Sequence, residues 1–141
     1  MTVQIADSDE KILKCRKALL DLRPHINEDE FPDIIRRMIK DGYCLIYVED
    51  NNEAASVAGF FTGYKLHRGN YLYIDDLNTL PTFRKMGYAE ILMKWIVNYA
   101  KQNNVDQIHL DSGVQRFDAH RFYLKQGFDI TSHHFAMKVI R

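Results

Sequence analysis

Arg84-Lys85-Met86-Gly87-Tyr88-Ala89 sets two basic side chains and a glycine at the mouth of a helix. The strand-like run Tyr71–Leu80 and Pro81 lead into it. Tyr88, Ile91, Leu92, Trp95, Ile96 and Tyr99, at steps of three and four, lead out of it as the apolar face of a helix. A strand, a glycine-bearing turn and a helix start present backbone N–H groups and a positive helix end to a phosphate. Gly87 carries no Cβ, so a ligand can come close to the backbone there. Neither Gly-x-x-x-x-Gly-Lys-Ser/Thr nor Gly-x-Gly-x-x-Gly occurs in the chain, so the chemistry indicated is anion binding without a nucleotide P-loop or a dinucleotide fingerprint. On its own, the turn reads first as an ordinary glycine turn beside a solvated Arg84, since short glycine motifs recur by chance.

Asp75 and Asp76 are consecutive on the strand before this turn. Side chains alternate across a strand, so the two carboxylates face opposite ways and do not form a proton-sharing pair. Either could hold a strand edge or accept a backbone hydrogen bond. His109 and Asp111 end the next strand-like run. Six histidines are present, yet no His-Glu-x-x-His or Cys/His spacing marks a metal site, and none is expected. The acidic residues Glu28, Asp29, Glu30 and Asp33 open a helix, where negative charge suits the dipole.

The elements that must position these groups are readable in order. Thr2 to Ala6 is a first strand. Asp7-Ser8-Asp9-Glu10 starts a helix whose inner face is Ile12, Cys15, Leu19 and Leu22, ending at Pro24. A second helix after Asn27 carries Phe31, Ile34, Ile35 and Met38 on one face, with Pro32 in its first turn. Tyr43 to Val48 reads as a buried strand, and Glu49-Asp50-Asn51-Asn52 turns the chain into another around Val57 to Tyr64. His67-Arg68-Gly69-Asn70 turns it again into the strand 71–80. After the long helix come a strand Gln107 to Leu110, a helix near Asp118 to Lys125, and two last strands flanking Thr131-Ser132. The order is β-α-α-β-β-β-α-β-α-β-β, a mixed α/β fold.

At 141 residues the chain predicts one domain, 1–141, with a core that needs no disulfide or metal staple. Nineteen Lys and Arg balance nineteen Asp and Glu, so no basic field points to nucleic acid. Cys15 and Cys44 build no disulfide framework, which suits a reducing cytoplasm. No signal peptide or membrane span is read from the sequence.

This order, with its glycine turn after the fourth strand, resembles the GNAT superfamily of N-acetyltransferases over nearly the whole chain. Ile74-Asp75-Asp76-Leu77-Asn78-Thr79-Leu80-Pro81 is similar to the family's fourth strand. Arg84-x-x-Gly87-x-Ala89 fits its Gln/Arg-x-x-Gly-x-Gly/Ala pyrophosphate loop. Ala119-x-x-Phe122-Tyr123, followed by Gly127-Phe128, fits its second signature. One position departs, since Arg116 stands where many members have asparagine; it is read either as a contact to a phosphate or as a solvated arginine. Asp118-Ala119-His120-Arg121-Phe122-Tyr123, with His133-His134-Phe135, resembles small-amine acetyltransferases, including those acting on aminoalkylphosphonates.

The resemblance implies transfer of an acetyl group from acetyl-CoA to a primary amine of a small molecule by direct attack. It implies that residues 84–89 bind the cofactor's pyrophosphate and that the backbone of Leu77, Asn78 and Thr79 pairs with its pantetheine arm. An alkyl amine of pKa about 10.4 is neutral in only about one molecule in a thousand at pH 7, so a base helps. Asp75, and less directly Asp76, occupies the family's acidic position for that task. Tyr123 is the implied acid for the departing thiolate, a phenol of pKa about 10 facing a thiol of about 8.5. His109 and Asp111 would border the acceptor. A protein lysine or N-terminal amine, or a non-catalytic acyl-CoA sensor, is the alternative. Strand edges of this fold are open to pairing in a homodimer.

Overall fold

Ser8 opens the first helix as the sequence predicts, in an extended conformation with its hydroxyl accepting from Lys11 N at 3.3 Å. From there the computed structural model, which describes residues 2–141, runs β1 (Val3–Ile5), α1 (Asp9–Leu22), α2 (Phe31–Lys40), β2 (Cys44–Asp50), β3 (Glu53–Lys65) and β4 (Gly69–Thr79). A short 3₁₀ turn (Pro81–Phe83), α3 (Tyr88–Gln102), β5 (Gln107–Leu110) and α4 (Phe117–Lys125) complete it. The chain forms two compact units, Met1–His109 and Leu110–Arg141.

The first unit is built on a sheet of order β1-β2-β3-β4-β5, antiparallel through its first four strands. Asn51 and Asn52 both adopt positive φ between the paired residues Asp50 and Glu53. This is the two-residue hairpin turn whose twist matches that of the strands. A core of Ile12, Cys15, Leu19, Phe31, Ile35, Tyr43, Leu45, Tyr47, Val57 and Leu80 joins α1 and α2 to the sheet. Leu92, Met93 and Ile96 are the buried stripe of α3, each contributing about 1.5–3 kcal/mol by leaving water.

The second unit holds α4 and the segment that follows. Among the described residues no strand comes after α4. The two final strands expected around Thr131-Ser132 are therefore absent, and residues 129–141 are exposed throughout. Alternation supplies a strand's two faces, but only a neighbouring strand satisfies its backbone groups. No helix among the described residues is long and apolar enough to cross a membrane.

Candidate functional site

The register of β3 against β4 slips where the aspartates stand. Gly59 pairs with Asp76 and Phe60 with Ile74, so Asp75 is the extra residue of a β-bulge. Asp75 is exposed and Asp76 half-buried.

Two helix ends converge on that bulge. At the end of α2, Gly42 (φ +111°) sends its N–H to Ile39 O at 3.0 Å, and Tyr43 N bonds Met38 O at 2.9 Å. This Schellman cap turns Tyr43 into the core. Its hydroxyl donates to Asp76 Oδ2 at 2.6 Å. Arg23, just past α1, donates from Nε to Asp76 Oδ1 at 3.1 Å and from Nη2 to Asp75 O at 2.8 Å. Burial, and then the Asp76 carboxylate, push the Tyr43 phenol well above its usual range. Asp76 thus serves as an anchor for two side chains, and the bulge that displays Asp75 is clamped from both sides.

Beyond the bulge, Asn78 Nδ2 donates to Ala18 O and Asp21 Oδ2, both at 2.9 Å, and Thr79 Oγ1 meets Ser56 Oγ at 2.8 Å. These contacts account for the polar side chains at the strand's end. Asp106 N bonds Asn70 O at 2.7 Å, and the His109 ring stacks on Tyr73 at 6.3 Å. Both pairs keep β5 beside the first half of β4, and Leu77–Thr79 run on past it. His109 Nε2 also meets Gln107 Oε1 at 2.7 Å.

The turn after β4 leaves its backbone donors open at the mouth of α3. Lys85 has φ +64°, and Gly87, the N-cap of α3, has φ +82° and no side-chain cap. The first helical bond is Ile91 N to Gly87 O at 3.2 Å. Among the described residues no backbone carbonyl accepts from the N–H groups of Lys85 to Glu90. Left-handed residues of this kind gather such donors into a concave nest, here backed by the α3 dipole. A Cβ at Gly87 would meet nothing within 4 Å, so the space over the donors is open. Met86 is exposed, Ala89 half-buried, and Tyr88 buried with its hydroxyl on Asp50. The Asp50 bond raises the Tyr88 phenol. Arg84 does not reach outward: Nε donates to Thr79 O at 3.1 Å and Nη2 lies 3.7 Å from Asp21 Oδ2. It staples the turn to the end of β4.

In the second unit, Arg116 is the N-cap of α4, and its backbone N bonds Gly113 O at 3.0 Å. Gly127 (φ +101°) ends the helix with another Schellman cap: Gly127 N to Leu124 O at 3.1 Å and Phe128 N to Tyr123 O at 3.0 Å. The Tyr123 and Phe128 rings meet edge-on at 5.9 Å, the apolar contact that accompanies such caps. Burial raises the Tyr123 phenol, and Arg116 nearby partly offsets the rise. Asp111 Oδ2 pairs with His134 Nδ1 at 3.3 Å.

Residues 12–128 match the model of the acetyltransferase (GNAT) family. The chain belongs to that family. It is 35% identical over 101 residues to the uncharacterized N-acetyltransferase YhdJ of Bacillus subtilis, covering 71% of each chain. It is 30% identical over 79 residues to an aminoalkylphosphonate N-acetyltransferase of Salmonella typhimurium, covering 55% of this chain and 51% of that one. The solved structure of AAC(6')-Iy in complex with a bisubstrate analogue, CoA-S-monomethyl-acetylneamine, superposes with a TM-score of 0.85 at 12% identity, over 99% of this chain and 98% of that one. The GNAT fold and an N-acetyltransferase activity follow for this chain from its family.

The residues of this acetyltransferase fit an acyl-CoA. A row of N–H donors, open space over Gly87 and a helix N-terminus suit a pyrophosphate. Tyr43, Arg23 and Gly59 escape a reading of the sequence. The one signal for them was a glycine inside an apolar strand, which marks a bulge or a close approach.

Proposed function

We propose that this acetyltransferase carries an acetyl group from acetyl-CoA to the primary amine of a small molecule by direct attack in a ternary complex. The turn Lys85–Glu90 carries the reading, because its N–H groups and the open space over Gly87 answer the chemistry of a pyrophosphate. The aminoalkylphosphonate acetyltransferase among its relatives, and the aminoglycoside-derived analogue on AAC(6')-Iy, support a small amine as acceptor. Acetyl-CoA supplies the acetyl group as a thioester.

Each residue then has a task. Lys85, Met86, Gly87, Tyr88 and Ala89 hold the pyrophosphate through their N–H groups, and Arg84 keeps the turn in place. The backbone of Leu77, Asn78 and Thr79 offers a strand edge to the pantetheine arm. Asp75, displayed by the bulge, attracts the ammonium and takes its proton, directly or through water. Asp76 holds the bulge. Tyr123 gives a proton to the departing thiolate, and Arg116 adds positive charge in its own unit. His109 and Asp111 contribute to the acceptor side. A cytoplasmic setting suits the free thiols Cys15 and Cys44.

Calorimetric titration with acetyl-CoA tests the cofactor, with Gly87→Glu placing a carboxylate over the donors. Saturable binding that the variant loses, followed by CoA release with primary amines, is the expected result. Absence of binding to the folded wild type would overturn the reading. Binding without CoA release for any small amine, but release with a lysine-containing peptide, would move the acceptor to protein.

A further inference from the structure

One face of β4 runs from a carboxylate to a pair of cations. Tyr73 pairs with Phe61 and Tyr71 with Gly63 across the sheet, and paired side chains share a face. The Phe61 ring meets that of Tyr43 at 5.2 Å, so both tyrosines stand on the Tyr43 side of the sheet. Asp75 is close to the same phenol: after burial and the Asp76 carboxylate, its charge helps to raise Tyr43. A Cβ at Gly63 would stand 2.7 Å from the Tyr71 hydroxyl, so glycine lets that ring lie over β3. Lys65 Nζ is 5.1 Å from the Tyr71 ring centroid and 5.8 Å from that of Tyr73, and Arg68 Cζ is 5.8 Å from that of Tyr73. No acidic residue occurs between Glu53 and Asp75, and no ion pair among the described residues involves Lys65 or Arg68. Two positive charges gathered on one ring repel, and an anion beside them relieves the repulsion.

We propose that Lys65 and Arg68 form a subsite for an anionic group of the acceptor, so that the substrate is an amine with an oxyanion at its far end. The inference rests on the proposed transfer to a small amine, whose ammonium Asp75 attracts. Tyr73 and Tyr71 precede Asp75 by two and four residues, about 7 and 13 Å along a strand. An acceptor of that span puts its ammonium on the carboxylate, its anion on the cations and its apolar middle along the two rings. The tyrosine faces hold both cations while their N–H groups stay available, and a guanidinium takes an oxyanion through two parallel bonds. A neutral tail leaves the cations without a counter-charge, and a second ammonium is repelled. Charge thus selects among amines that Asp75 alone would treat alike.

Rates with acetyl-CoA and three amines of equal chain length test this: 8-aminooctanoate, octylamine and 1,8-diaminooctane. In kcat/KM, 8-aminooctanoate should exceed octylamine by about 10-fold, the low end for a hydrogen bond to a charged group, and the diamine should trail both. Lys65→Glu with Arg68→Glu should put the diamine first. Each readout is a ratio of substrates on one preparation, so loss of folded protein divides out, and the wild-type ratios need no variant. Octylamine acetylated as well as 8-aminooctanoate would overturn the subsite and leave the transferase reading standing. So would 3-aminopropanoate matching the longer acid, because it cannot span the distance. If no amine is acetylated, ¹⁵N amide shifts decide. Movement at residues 65–73 with 8-aminooctanoate but not octylamine would support the subsite while the transfer reading fails, and no movement would overturn it.

Discussion

The Tyr43 hydroxyl reaches Asp76 Oδ2 at 2.6 Å because residue 59, opposite Asp76 in the sheet, is glycine. A Cβ at position 59 would stand 1.6 Å from that hydroxyl. The pair ties the end of α2 to the bulge in β4, so a side chain remote in sequence sets the shape of the strand that carries Asp75.

Tyr43→Phe removes a hydrogen bond to a charged acceptor. The expected loss is about 1.5–3 kcal/mol of unfolding free energy, read from urea denaturation at pH 7. Catalysis should fall through kcat more than through the KM for acetyl-CoA, because the turn at Gly87 is untouched. An unchanged denaturation midpoint would show that the clamp contributes nothing.

Gly59→Ala should cost more than the roughly 1 kcal/mol typical of a point mutation, because the methyl collides with Tyr43. In a Tyr43→Ala background the collision is gone, and the same substitution should cost much less. A double-mutant cycle measures the difference, and strict additivity would separate the two residues energetically.

Gly127→Ala isolates backbone conformation from contact. A Cβ there meets nothing within 4 Å, but φ is +101°, where an L-residue is disfavoured by about 1–2 kcal/mol. Thermal or urea unfolding should show a loss of that size. The near-UV signal of Tyr123 should weaken, since the cap sets its ring against Phe128. A neutral or stabilising alanine would mean the cap does not hold.

Tyr123→Phe should lower kcat by about 100-fold, the low end for one general acid, while acetyl-CoA affinity stays within a few-fold. Burial keeps the Tyr123 phenol protonated beyond its ordinary range. An alkaline limb of the rate profile below about pH 10 should therefore persist in the variant. Unchanged turnover with chemistry rate-limiting would remove the role.

Cys15 gives a pH dependence of stability. Burial pushes its thiol up to about 12, against about 8.5 in an unfolded chain. The folded state therefore keeps a proton that the unfolded state releases. The contribution is whole below the unfolded value and is lost as pH rises from there toward 12. Urea midpoints between pH 8 and 11 should decline, and Cys15→Ala should flatten part of that decline. An equal slope in the variant would assign the decline to other groups, such as Tyr43.

Local chemistry decided what the sequence could determine. The Ser8 cap, the Asn51-Asn52 turn, the 3.6-residue stripe of α3 and the span Gln107–Leu110 all depend on residues close in the chain, and all stand where the sequence puts them. The turn at Gly87 was legible for the same reason: strand, glycine and helix start are contiguous. Tertiary structure decided the partners. That Asp76 is spoken for by Arg23 and Tyr43 depends on two helix ends meeting one strand. That Arg84 staples a strand end depends on where Asp21 and Thr79 lie. The bulge at Asp75 is a matter of register, which alternation alone does not set. Residues 129–141 carry a strand's pattern without being a strand, because a strand exists only where another offers its edge.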